Sequence, residues 1–144
     1  MTVRLSGRRG LPPVDRALLR RRARAILRAL DRRGAELSVA LVDDATIEEL
    51  NARYRGRPTP TDVLSFSLLD GAHSERRGAL LGDVVISLET AQRQARRARR
   101  GLEDEVVRLM VHGVLHLVGH DHEEDEEARV MRAEERRLRR AIAT

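Results

Sequence analysis

The stretch from Val111 to Asp125 constrains this chain more than any other. It holds four of the five histidines, and three of them follow the spacing H-x3-H-x2-G-x2-H. His112 and His116 lie in an apolar run that is long enough for a buried helix. Residues four apart on a helix share one face, with Cβ atoms about 5–6 Å apart, so both imidazoles can reach one metal ion.

Gly119 predicts the end of this helix, because glycine adopts the left-handed C-terminal conformation without strain. The returning chain can then bring His122 to the same ion. The alternative is that these are core histidines bonded to backbone carbonyls, but two buried imidazoles would each need a polar partner. Three ligands leave a tetrahedral zinc ion one open position, which is typical of catalytic sites that activate water. Three imidazoles also suit nickel, copper or cobalt.

The spacing resembles the metzincin protease signature H-E-x-x-H-x-x-G-x-x-H, with one departure. Gly113 stands where those proteases have their general-base glutamate, so peptide hydrolysis would have no proton acceptor there. A glycine inside a helix costs about 1 kcal/mol relative to alanine. Gly113 therefore indicates either close approach by substrate or a neighbouring backbone, or tight helix packing.

The whole motif H-G-V-L-H-L-V-G-H-D-H resembles the signature of the YbeY family, the zinc-dependent endoribonucleases of bacterial ribosomal RNA maturation. Two further segments, Asn51 to Phe66 and Leu81 to Ser87, resemble the same family in the same order. The resemblance implies a Zn²⁺ ion held by His112, His116 and His122. It also implies an α+β fold.

Arg55 matches an arginine that the family places beside the metal. Its planar fork can bind a phosphate and offset charge that builds up during cleavage, whereas the alternative is a structural salt bridge. Asp121 either orients a ligand imidazole or caps the last helix. His120 departs from the family, which more often has tyrosine there, and we expect it to be a loop residue rather than a spare ligand.

Composition favours an anionic partner. All 28 basic residues are arginine, the formal net charge is +5 and the sequence pI is about 11.1. With one Phe and one Tyr, the core must be aliphatic, and contact with phosphates is favoured over base stacking. The absence of cysteine fits a reducing cytoplasm, and no apolar run approaches the length of a membrane span.

We predict one domain over residues 1–144, an α+β fold with a four-stranded mixed sheet packed against about five helices and a central buried ligand helix. The predicted strands are Thr2 to Leu5, Leu37 to Leu41, Asp62 to Leu68 and Leu80 to Ile86. The predicted helices run from Pro12 to about Arg33, from Asp43 or Asp44 through Tyr54, from Ser87 to about Arg100, from Leu102 to Val118 and from Glu123 to Ala143. Loops are predicted from Arg55 to Pro60 and around His73.

These residues lead to a hypothesis of a zinc-dependent endoribonuclease acting on single-stranded RNA in the cytoplasm, with a monomer favoured. The family resemblance narrows the substrate to the 3′ end of small-subunit ribosomal RNA. Water or a ribose 2′-hydroxyl can be the nucleophile. Two other functions remain open: a metzincin-like metal hydrolase or protease, and a non-catalytic ribosome-assembly factor whose metal only stabilises the fold.

Overall fold

The computed structural model describes residues 2–57, 61–67 and 80–143. The order of elements is β α β α β β α α α, as the sequence predicts. The strands are β1 (Thr2–Gly7), β2 (Glu36–Val42), β3 (Val63–Ser67) and β4 (Leu80–Ser87). The helices are α1 (Arg16–Ala29), α2 (Asp44–Arg55), α3 (Leu88–Ala98), α4 (Leu102–Leu117) and α5 (Asp125–Ile142). The predicted loop around His73 lies outside the described residues.

The four strands form one mixed sheet in the order β1-β2-β4-β3. β1, β2 and β4 are parallel neighbours, and β3 pairs antiparallel with β4, with Ser65 opposite Val84. Successive strand residues face opposite sides of a sheet, so Val84 and Val85 belong to different cores. The four-stranded mixed sheet predicted from the sequence is confirmed.

Two apolar cores cover the two faces of this sheet. The larger one joins β2 and β4 to α1, α3, α4 and α5, and the smaller one contains Ile47 of α2 with Leu64 and Val85. α4 crosses the larger core, where Val106, Met110 and Val114 are fully buried. The helix that carries two of the three histidines is therefore held from several sides. Among the described helices, none is both long and apolar enough to cross a membrane.

The first helix is shorter at both ends than the sequence predicts. Its N-cap is Asp15, whose side chain accepts a hydrogen bond from the Leu18 backbone amide at 3.0 Å, so Pro12 and Pro13 precede the helix. It ends near Ala29 rather than Arg33 because Asp31 adopts the left-handed conformation with φ of 55°. Aspartate tolerates that conformation better than most residues do.

Other boundaries differ from the sequence prediction by one or two residues. Arg55 is the last residue of α2 rather than the first of a loop, and Gly56 caps the helix with φ of 66°. Of the two predicted candidates, Asp43 and Asp44, it is Asp43 that caps the other end, and Ser87 caps α3 as predicted. α3 ends at Ala98 instead of Arg100, and α5 begins at Asp125 instead of Glu123. Helix α2 therefore fixes the backbone position of Arg55.

Gly113 is the point of closest packing between α4 and the sheet. A Cβ atom added there would lie 2.7 Å from Val84 Cγ1 and 3.1 Å from Ser65 Oγ. The Ser65 hydroxyl also donates a hydrogen bond of 2.9 Å to the Gly113 carbonyl oxygen. Of the two roles predicted for this glycine, the structure therefore supports tight packing, here between helix and strand rather than between helices.

We expect Gly113→Ala to destabilise the protein by about 1–3 kcal/mol, because Val84 is a stiff, fully buried side chain that cannot yield to the new methyl group. The better helix propensity of alanine offsets about 1 kcal/mol at most. Thermal unfolding measures the effect as a shift of about 2–4 °C per kcal/mol. Gly34→Ala is the matched control, since a Cβ there meets no atom within 4 Å. Equal melting temperatures for the two variants would contradict the packing role.

Candidate metal centre

The turn after α4 brings the third histidine back toward the first two. Gly119 is left-handed with φ of 105°, its amide donates to the His116 carbonyl at 3.1 Å, and the His120 amide donates to the Leu115 carbonyl at 2.9 Å. These paired hydrogen bonds form a Schellman motif, the common way in which glycine ends a helix. The predicted arrangement of helix, turn and returning histidine is present in the structure.

The rings of His112, His116 and His122 converge. One ring nitrogen from each lies within 4.8 Å of the other two, and the Nε2 atoms of His112 and His116 are 3.1 Å apart. Two nitrogens bound to one tetrahedral zinc ion at about 2.0–2.1 Å would be about 3.3 Å apart. The two helical histidines already have nearly this separation. His122 lies on an exposed turn, where it can approach by the remaining distance, so the three residues fit a divalent cation.

The environment of His116 favours the neutral imidazole that a metal requires. Burial lowers the pKa of His116, and the adjacent rings of His112 and His122 lower it further when they carry charge. A hydrogen bond to the backbone of His120 acts in the opposite direction with a smaller effect. Because a ligand imidazole must be unprotonated, protons compete with a cation at His116 only at a more acidic pH than for an ordinary histidine.

Arg55 lines the same cavity as the three histidines. The cavity has a volume of about 840 Å³ and lies between the end of α2, the edge strand β3 and the turn after α4. The Arg55 guanidinium donates a hydrogen bond to the Ser65 carbonyl oxygen, and its Cζ atom lies 5.6 Å from the centre of the Phe66 ring. A cation over an aromatic face is attracted to it. In the described part of the chain Arg55 has no acidic partner, so the structure does not support the salt-bridge alternative.

The model of the family described as Endoribonuclease YbeY matches residues 13–143 of this chain. The chain belongs to the YbeY family. A relative described as Endoribonuclease YbeY from Anaeromyxobacter sp. (strain Fw109-5) is 50% identical over 143 residues, which cover 98% of this chain and 72% of the relative. A relative of the same description from Pelotomaculum thermopropionicum is 46% identical over 142 residues, with coverage of 94% and 93%.

The chain is also similar in fold to a solved structure. The chain is similar to the solution structure of TM1509 from Thermotoga maritima, with a TM-score of 0.64 and 27% sequence identity. The similarity covers 97% of this chain and 88% of that one. The fold expected from the sequence resemblance is therefore confirmed.

The site of this YbeY-family chain includes a carboxylate that the motif alone did not identify. Oε1 of Glu135 lies 3.5 Å from Nδ1 of His112, on the side of the ring away from His116. The contact with His112 lowers the pKa of Glu135, which keeps the carboxylate charged. Carboxylates in this position fix the tautomer of a ligand histidine and raise its basicity. A sequence signal existed, because Glu135 falls on the apolar stripe of α5, between the buried Met131 and Leu138.

We expect Glu135→Gln to lower the affinity for metal by about 10- to 100-fold, since the substitution keeps the side-chain shape but removes the charge beside His112. Competition with a fluorescent chelator measures this affinity. Glu134→Gln is the matched control, because the neighbouring carboxylate contacts Arg137 instead of a ligand ring. If both variants bind metal as tightly as the parent chain, Glu135 does not support the site.

Asp121 and His120 occupy the turn itself. Asp121 Oδ1 accepts a hydrogen bond from the His122 backbone amide at 2.8 Å, and the N-cap of α5 is Glu124. Asp121 therefore does not cap the last helix, and its role in supporting the ligands stays a prediction. His120 lines the cavity but is not part of the converging set of three histidines. Its expected place as a loop residue agrees with its position between α4 and α5.

Proposed function

We propose that this chain is a metal-dependent endoribonuclease that cleaves single-stranded RNA, with Zn²⁺ held by His112, His116 and His122. The observation that carries the proposal is the single cavity that contains three converging imidazoles and an arginine with no acidic partner among the described residues. The relatives described as Endoribonuclease YbeY support the same reaction. We further propose that its substrate in the cell is the 3′ end of small-subunit ribosomal RNA, and that it acts in the cytoplasm.

The histidines and Glu135 prepare the site to hold a cation. Neutral imidazoles do not cancel the charge of a divalent ion. Glu135 lies beside Nδ1 of His112, which leaves the Nε2 atom of that ring to bind the cation. When bound, the ion would supply Lewis-acid stabilisation of the phosphoryl group and activation of water. The chain contributes the orientation of the three rings, two of which are fixed on a buried helix.

Arg55 binds the phosphate in this proposal. Its hydrogen bond to Ser65 and its contact with Phe66 hold the guanidinium in the cavity, so little conformational entropy is lost when RNA binds. The remaining N–H groups can donate to the phosphoryl oxygens, whose negative charge grows as the nucleophile attacks. Arg57 also lines this cavity and adds positive charge beside the phosphate.

Gly113 counts against the protease alternative. The general-base glutamate of the metzincins follows their first ligand, and in this chain that position faces Val84 and Ser65 of the sheet. A carboxylate there would have to displace the strand. The position thus offers no space for the proton acceptor that peptide hydrolysis requires.

Metal analysis combined with a cleavage assay tests the proposed function. The purified chain should contain close to one zinc per molecule, cleave single-stranded RNA, lose cleavage with chelator and regain it when zinc is restored. Double-stranded RNA of the same sequence should be cleaved much more slowly. Full cleavage by metal-free protein would contradict the proposal. A 5′-phosphate on the product indicates attack by water, whereas a 2′,3′-cyclic phosphate indicates attack by the 2′-hydroxyl.

A further inference from the structure

A second cavity lies on the other side of His112. It has a volume of about 500 Å³ and is formed by the end of α3, the first half of α4 and Glu135 of α5. His112 and Asp62 line both this cavity and the larger one with Arg55. The two cavities therefore meet at His112, one of the three converging histidines, and a strand that crosses the candidate metal centre from the Arg55 side can continue into the second cavity.

A buried glutamate organises the wall of this second cavity. The side chain of Glu105 is 2% exposed and binds two arginines: Arg100 Nη1 lies 2.9 Å from Oε1, and Arg108 Nη1 lies 3.2 Å from each carboxylate oxygen. The two arginine side chains are 39% and 40% exposed. Each guanidinium has five N–H donors, and only those on one nitrogen contact Glu105. Within the described part of the chain, the other donors make no hydrogen bond, so they are available to a ligand.

Arg97 on the same wall has no partner among the residues that the structure describes. In the described ranges it makes neither an ion pair nor a hydrogen bond, although it lies in the last turn of α3 beside the cavity. Its guanidinium is therefore not required for any contact within the described fold. An uncommitted arginine next to two arginines fixed by a buried acid forms a site for an anion with several oxygens.

The acids that line the cavity are already engaged. Glu105 binds two arginines, Glu135 contacts His112, and Asp62 Oδ2 accepts a hydrogen bond of 3.2 Å from Gln94 Nε2. Their charges are thus directed toward protein donors rather than into the open space. Three arginines and three acids line the cavity, and Arg97 is the arginine among them with no acidic partner in the described residues, which favours an anion over a cationic ligand.

We propose that the cavity lined by Arg97, Arg100 and Arg108 binds a backbone phosphate of the RNA strand next to the phosphate that is cleaved. The inference rests on the proposed endoribonuclease function, because it assigns the path of the substrate past the candidate metal centre. RNA suits the site better than an acidic peptide, since Arg55 and this arginine cluster line two cavities that share His112 and Asp62. An RNA strand presents phosphates at regular intervals on both sides of the scissile bond.

Arg97→Ala tests the proposal without removing a structural contact, and Arg96→Ala is the matched control. Arg96 has the same charge on the same helix and lines neither cavity. We expect Arg97→Ala to bind a single-stranded oligodeoxynucleotide about fivefold to tenfold more weakly. The slope of log K against log salt should fall by about 0.7, the value for one phosphate contact with a single strand. Arg97→Glu should weaken binding further, and Arg96→Ala should match the parent chain.

Kinetics with RNA of two lengths completes the test. With a long single-stranded RNA, Arg97→Ala should raise KM by about the same factor as it weakens binding and leave kcat nearly unchanged. With a dinucleoside monophosphate, whose only phosphate is the one that is cleaved, the variant and the parent chain should behave alike. Unchanged binding, salt slope and KM in Arg97→Ala, with the parent chain cleaving RNA normally, would overturn this proposal alone. If the parent chain bound RNA but did not cleave it, the proposed function would fail while the binding test would still decide on the cavity. Tighter binding of an acidic peptide than of the oligonucleotide would also overturn the proposal that this cavity binds an RNA phosphate.

Discussion

His116→Ala is expected to abolish metal binding and RNA cleavage together. The variant removes the proposed ligand whose pKa is lowered by burial and whose ring centre lies 4.7 Å from that of His112 and 5.2 Å from that of His122. An ion contributes several kcal/mol of transition-state stabilisation in such sites, so we expect cleavage to fall by about 10³-fold or more. Elemental analysis and a single-turnover cleavage assay on the same preparation measure both losses.

His120→Ala is the matched control for that experiment. It removes a histidine from the same turn whose side chain is not in the converging set, so metal content should remain at the level of the parent chain. Circular dichroism should show both variants folded. A His116→Ala protein that retains both its zinc and its activity would refute the assignment of the three ligands. Loss of zinc from His120→Ala would instead show that the ligand set is different.

Arg55→Ala is expected to lower kcat by about 10²- to 10³-fold while zinc content and melting temperature stay close to those of the parent chain. This is the usual cost of removing one donor that stabilises charge in a transition state. Arg55→Lys should restore only part of the rate, because an ammonium group cannot donate two parallel hydrogen bonds to a phosphate. Cleavage rates at saturating RNA give the comparison directly.

Arg53→Ala is the control for Arg55. Arg53 lies on the same helix but pairs with Glu49 at 2.8 Å and lines neither cavity.

The pair of variants also distinguishes an enzyme from an assembly factor whose metal only stabilises the fold. Such a factor would tolerate Arg55→Ala without a change in RNA processing. Normal processing by a folded, zinc-containing Arg55→Ala protein would therefore favour the assembly factor.

The convergence of the three histidines was accessible from sequence because its geometry is local. His112 and His116 are four residues apart on one helix, and Gly119 ends that helix by a motif that depends on a few consecutive residues. The element order was accessible for a similar reason, since apolar periodicity reports on each helix or strand separately. The first helix shows the limit of such reasoning. The two prolines suggested its start, but the side-chain cap at Asp15 determines where it begins.

The supporting parts of the site depend on contacts between distant elements. Glu135 reaches His112 only because α5 packs against α4. The sequence signal for this contact was a carboxylate placed on the apolar stripe of α5. The second cavity forms where α3, α4 and α5 meet. The sequence alone therefore could not show which arginines at the end of α3 line the cavity and which face solvent. The sheet order also depends on tertiary pairing, which periodicity does not report.

Ser65 connects the two halves of the larger cavity. Its carbonyl oxygen accepts from Arg55, and its hydroxyl donates to Gly113 between the two helical histidines. A one-residue slip of β3 against β4 would turn Ser65 away from α4 and bring the bulky Phe66 or Leu64 against Gly113. The distance between the Arg55 guanidinium and the histidine rings therefore depends on the number of residues in β3. Insertions or deletions of a single codon within Val63–Ser67 should be absent from active members of the lineage.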